Sequence, residues 1–156
     1  MTPRIELIGK KKLIGLRKDM SLLADQTPQL FGSFMPNRGR IQNTVNSSVV
    51  LAKIYPQDYF THFDPSTTFT KLAAVEVKEP MDIEGFEYIE TEAGLYAIFE
   101  HRGGPGDTTI FEYIFREWLP QSGYDLDSRP HLDIMPADYF ICEDKREDIM
   151  IPVRKK

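Results

Sequence analysis

The chain is poor in cysteine, tryptophan and histidine: 156 residues contain only Cys142, only Trp118, and His62, His101 and His131. A single thiol excludes an intrachain disulfide and fits a reducing compartment. Asp138, Glu143 and Asp144 surround Cys142 in sequence and oppose a thiolate, so a nucleophilic cysteine is not favoured. The three histidines are scattered, with no CxxC or helical spacing between them, and no metal site is expected. Positive charge is also in deficit. Lys and Arg number 19 against 24 Asp and Glu, a net charge of −5, which disfavours coating a nucleic acid and suits a cationic ligand. No apolar run is long enough to span a membrane, and the N-terminus lacks a signal-peptide core, so a cytoplasmic protein is expected.

Familiar catalytic loops are missing as well. Gly103-Gly104-Pro105-Gly106 precedes a helical pattern but lacks the Lys-Ser/Thr ending of a P-loop and the spacing of a dinucleotide fingerprint. It reads as a turn, with Asp107 as the helix N-cap. No Ser occupies a nucleophile elbow, and no Ser–His–Asp triad can be proposed. No cofactor is expected.

What the chain does have is apolar and aromatic surface, 41% hydrophobic and 12% aromatic residues, enough for one packed α+β domain over residues 1–156. Ala93–Pro120 is its most informative stretch. Leu95–Phe99 reads as a strand. Ile110, Phe111, Ile114, Phe115 and Trp118 then recur at helical spacing until Pro120, Ser122 and Gly123 stop the helix. Upstream, Ile5–Leu16 reads as a strand or hairpin, Thr27–Pro28 opens a helix carrying Leu30, Phe31 and Phe34, and Ser48–Tyr55 and Phe69–Val77 read as strands. Pro56–Ser66 is a loop rich in Tyr, Phe and His. Phe86–His101, Leu132–Met135 and Glu147–Val153 supply the later strands. Each half thus reads strand–helix–strand–strand, giving pseudo-repeats of about 3–79 and 84–156. One such unit cannot bury both its helix and its sheet face, so two should pack side by side as one antiparallel sheet with helices.

Six elements in order then carry a resemblance. They are Leu30-Phe31 with Phe34, Phe69–Val77, Gly94–Phe99, His101 with Gly104-Pro105, Glu117-Trp118-Leu119-Pro120 with Ser122-Gly123-Tyr124, and Ile151-Pro152-Val153. Together they resemble the effector-binding domain of bacterial transcription regulators, grouped with the gyrase-inhibitory protein. The resemblance implies a ligand groove where two pseudo-symmetric units meet, taking a small lipophilic or cationic molecule. An acidic residue of the second half commonly supplies the countercharge among aromatic rings. Two departures stand out: Phe31 replaces a common Trp, and Asp133 replaces a Glu that is one methylene longer. The effector-type pattern uses the whole chain, so direct nucleic-acid binding is not expected. A protein partner is allowed by the gyrase-inhibitory likeness.

Asp133 alternates with Leu132 and Ile134, so it is expected on the opposite strand face, with Met135 and His131. It is the candidate countercharge, and a cation in an aromatic cage would offset the cost of burying it. Tyr113, Tyr96, Phe31, Phe34, Tyr55 and Trp118 are candidate walls. Some stand-alone members of the family are hydrolases, and Tyr113 and Glu117, four apart on a helix, are the candidate acid/base pair for that alternative.

Overall fold

Period-two alternation gives every strand one face toward the helices, and the sheet is assembled on that rule. The computed structural model describes residues 1–104 and 106–156. Pro105, part of the turn expected ahead of the second helix, lies outside the described residues. The strands are β1 (Arg4–Ile8), β2 (Lys12–Met20), β3 (Val49–Ile54), β4 (Phe69–Glu76), β5 (Glu87–Glu90), β6 (Gly94–His101), β7 (Tyr124–Leu126), β8 (His131–Met135) and β9 (Glu147–Lys155). They form one antiparallel sheet in the order β1-β6-β9-β8-β3-β4-β2-β5, with β7 beside β9. The order is palindromic: β1, β6, β9 and β8 answer β5, β2, β4 and β3. The seam of the two halves is therefore the β3–β8 pair. There Ala52 faces Leu132, Leu51 faces Asp133 and Lys53 faces His131.

Two expectations are corrected here. Ile5–Leu16 is no hairpin, because β2 is flanked by β4 and β5 and has no free edge for β1. Instead each lead-in strand crosses to the other half, β1 to β6 and β5 to β2. The three-residue β7 was not expected at all. It is too short to display an alternation, and it forms where the chain leaves the second helix.

The first helix, α1 (Thr27–Phe34), tightens into a 3-10 segment at Met35–Arg40, where Pro36 and Gly39 end regular winding. The second, α2 (Thr109–Glu112), runs without a break into a π-helical stretch, Tyr113–Trp118, and a last turn at Leu119–Gln121. Pro120 lies inside that helix rather than stopping it. In a regular helix its ring would press on the carbonyl four residues back, and the wider π turn just before it moves that carbonyl aside. The stop is Gly123, whose φ of 76° is left-handed. Asp107 sits one residue before the N-cap, Thr108, and its Oδ1 accepts the Thr109 N–H at 3.0 Å. Asp25 does the same for Thr27 at 3.0 Å in the first half.

The helix-side face carries two cores. Leu30, Phe34, Ile14, Val49 and Ala73 pack in the first half. Ile110, Ile114, Phe99, Ile149 and Ile151 pack in the second. The opposite face buries Leu13, Val50, Leu72, Tyr96, Ile98 and Leu132 against one another without a helix, which requires the sheet to curve round them. Arg129 is sealed in beside that face. Its Nη2 donates to the Leu95 and Val153 carbonyl oxygens at 2.8 and 3.0 Å, and its guanidinium lies 4.7 Å from the Tyr96 ring centre. Gly94 leaves room for it, since a Cβ there would fall inside the guanidinium. Gly94→Ala is accordingly expected to cost about 1–3 kcal/mol by overpacking. Urea titration checks this, and an unchanged midpoint would mean that Arg129 is not seated there. Among the described residues no helix is long and apolar enough to cross a membrane.

Candidate functional site

At the seam, alternation brings Leu51, Lys53, His131 and Asp133 to the helix-side face, between the two helices. Lys53 Nζ lies 2.9 Å from Asp133 Oδ2, and both residues are more than nine-tenths buried, at 8% and 6% exposure. The ammonium also lies 4.4 Å from the centre of the Phe111 ring. Burial alone would lower the Lys53 pKa, but the Asp133 charge and hydrogen bond outweigh it and hold the ammonium above the usual lysine value. The second carboxylate oxygen, Asp133 Oδ1, is buried and has no hydrogen-bond partner among the described residues. The seam therefore holds an internally neutralised ion pair with one acceptor left over.

Aromatic rings cover this pair. Phe60, from the β3–β4 loop, stacks on His131 at 5.4 Å and on Phe115 of the second helix at 5.3 Å. Phe140, from the β8–β9 loop, packs on Phe31 of the first helix at 4.9 Å. Each loop thus reaches the helix of the opposite half. Phe60 and Phe140 remain 38% and 39% exposed. Burial, aided by the charge of Lys53, pushes the His131 imidazole down to about 3, so the ring is neutral. Tyr55 touches Tyr59, Phe60, Phe69 and His131, with centroids 4.7 to 5.0 Å away. Burial pushes its hydroxyl up to about 12. A cavity of about 420 Å³ opens beside Tyr55, Phe60 and His131, bounded on its far side by Ser128, Arg129 and Arg154.

A second polar cluster lies further along β9. Glu147 Oε1 is 3.1 Å from His101 Nδ1, and His101 Nε2 is 3.3 Å from Asp107 Oδ2. Burial and the nearby Asp133 charge push the Glu147 carboxyl up.

Of the residues singled out from sequence, the fold brings Asp133 to the seam, Tyr55 against His131 and Phe31 against Phe140. Phe34 is fully enclosed in the first-half core. Tyr96 lies on the opposite face of the sheet, its hydroxyl donating to the Pro130 carbonyl oxygen at 2.9 Å, so it shares no wall with Asp133. The single-residue step along β6 decides that: Leu95, Ala97 and Phe99 take the helix side. Trp118 packs edge-on against Phe99 at 5.2 Å and stacks on Tyr124 at 6.4 Å, within the second-half core. Tyr113 donates to the Met1 carbonyl oxygen at 2.8 Å while Glu117 stands exposed, and no hydrogen bond joins the two among the described residues.

Lys53, Phe60, Phe111, Phe115 and Phe140 were not singled out. A repeat in the sequence could have found three of them. Pro56-Gln57-Asp58-Tyr59-Phe60 and Pro136-Ala137-Asp138-Tyr139-Phe140 share four of five residues, eighty positions apart. In each copy the Tyr N–H donates to the Pro carbonyl oxygen at 3.0 Å. The same offset sets Lys53 against Asp133, so the pair joins equivalent positions of the two halves.

A family model for a GyrI-like small molecule binding domain matches residues 1–154. No protein of curated function matches the sequence. Among solved structures, SAV2435 bound to tetraphenylphosphonium matches with a TM-score of 0.69 at 15% identity, over 99% of this chain and 94% of that one. A putative transcription regulation protein of Staphylococcus aureus MU50 matches at 0.67 and 16% identity, over 99% of both chains. EcmrR, in its DNA complex, matches at 0.74 and 9% identity, over 99% of this chain but 58% of its own. At such identities these likenesses establish the fold.

Proposed function

The chain belongs to the family of GyrI-like small-molecule-binding domains, and on that premise we propose that it takes a lipophilic small molecule into the groove between its two helices. The observation that carries this reading is Asp133 Oδ1, a buried acceptor without a partner beneath a cover of aromatic rings. Leaving such an acceptor unpaired costs about 1–3 kcal/mol, and a ligand N–H or O–H would remove that cost. Phe60 rides on a loop and is partly exposed, so it is the ring that moves to admit a ligand. Phe111 and Phe115 are fixed to the second helix and supply the apolar wall. The cavity beside Phe60 and His131 gives the entry. That a protein of this fold is bound to tetraphenylphosphonium supports a lipophilic occupant.

Calorimetric titration with tetraphenylphosphonium and with 1-naphthol tests the reading. At least one probe binds the wild-type chain, and Phe115→Ala weakens that binding about tenfold, as loss of one ring contact implies. Tyr96→Phe, on the opposite face, leaves it unchanged. Failure of both probes to bind, or equal losses in the two variants, would overturn the groove.

A further inference from the structure

A groove that selects cations needs a carboxylate and an aromatic face aimed at one point in an apolar setting. Both are present at the seam, and both are already engaged by Lys53, at 2.9 Å from Asp133 Oδ2 and 4.4 Å from the Phe111 centroid. We propose that Lys53 is a built-in occupant of the cation position, so that the groove takes an uncharged lipophile carrying a hydrogen-bond donor and excludes lipophilic cations. This rests on the groove reading above and names its ligand class.

The surrounding charges support it. Lys53 and Asp133 cancel, and His131, the cross-strand neighbour of Lys53, is a neutral ring. Glu147 is tied to His101, and Lys71 donates to Thr27 Oγ1 at 2.7 Å. Tyr55 keeps its proton. The carboxylates of Asp58 and Asp127 line the cavity, but a cation that reaches Asp133 meets the like charge of Lys53 already seated there. Lys53 is held away from water, with 8% of its surface exposed and its ammonium between Asp133 and the Phe111 ring. Among the described residues Asp133 Oδ1 is the unpartnered buried acceptor of the ion pair, and it can take only a hydrogen-bond donor. A phenol, alcohol or amide supplies that donor, whereas a phosphonium or quaternary ammonium has none.

The test is calorimetry on the full chain with three probes: 1-naphthol, 1-methoxynaphthalene, which lacks the donor, and tetraphenylphosphonium. Wild type is expected to bind 1-naphthol about tenfold tighter than the methyl ether and at least about tenfold tighter than the cation. Lys53→Met frees the Asp133 charge and should raise cation affinity at least about tenfold. If Lys53→Met does not fold, Lys53→Gln decides instead, since its amide still donates to Asp133 while removing the charge. Wild type binding the cation as tightly as 1-naphthol would overturn the selectivity and leave the groove reading standing. A folded Lys53 variant that gains no cation affinity overturns it equally. Wild type binding none of the probes overturns both.

Discussion

Asp133→Asn is expected to lower the unfolding free energy by about 3–5 kcal/mol, read from urea titrations. Asn preserves the shape of Asp but leaves the Lys53 ammonium enclosed without the carboxylate charge that neutralises it. Breaking one side of a buried pair costs far more than the pair contributes, because an uncompensated charge stays behind. Lys53→Met should be costly for the mirror reason, since it leaves the Asp133 carboxylate alone. The double variant Lys53→Met/Asp133→Leu removes both charges and should recover most or all of the loss. The cycle therefore carries a large coupling. A cost below about 1 kcal/mol for Asp133→Asn would place the pair in water, where such bridges contribute little.

The second large effect is on pH. His131 is held neutral in the folded chain with its pKa pushed down to about 3, against an ordinary value of 6.5, by burial and by the charge of Lys53. Below 6.5 the unfolded chain binds a proton at this position that the folded chain refuses. Stability from His131 is thus present above 6.5 and falls as the pH drops, with a slope approaching 1.4 kcal/mol per unit. Glu147 works in the opposite sense. Its raised pKa stabilises the fold at low pH and loses that contribution as the pH rises above the ordinary glutamate value, which blunts the slope near pH 5. Chemical denaturation at pH 7, 6 and 5 should show the decline. His131→Phe, which keeps a ring between Tyr55 and Phe60, should remove most of it. An undiminished decline in that variant would place the titrating group elsewhere.

The sequence made the strands and helices legible because alternation and helical spacing are local signals. The exchange of β1 and β5 between halves was not legible, because it depends on which edge is already occupied, a property of the assembled sheet. Asp133 was reachable from the resemblance and from its alternation with Leu132 and Ile134. Its partner was not sought, because Lys53 stands within an apolar strand run where a lone charge reads as an exposed end. The Pro-x-Asp-Tyr-Phe repeat is what ties the two together. It also shows why Phe60 and Phe140, assigned only to loops, end over the helix of the opposite half. Tyr96 and Phe34 were read by residue type, and a ring's chemistry does not tell which face or which core it enters.

The central claim is that a lipophile sits between the helices over Lys53 and Asp133, beneath Phe60. The most direct measurement is an intermolecular NOE map of the chain saturated with 1-naphthol. Contacts from the ligand to the rings of Phe60, Phe111, Phe115 and His131 are predicted. Contacts confined to the strand-edge surface around Glu92–Leu95, with none to those four rings, would contradict it.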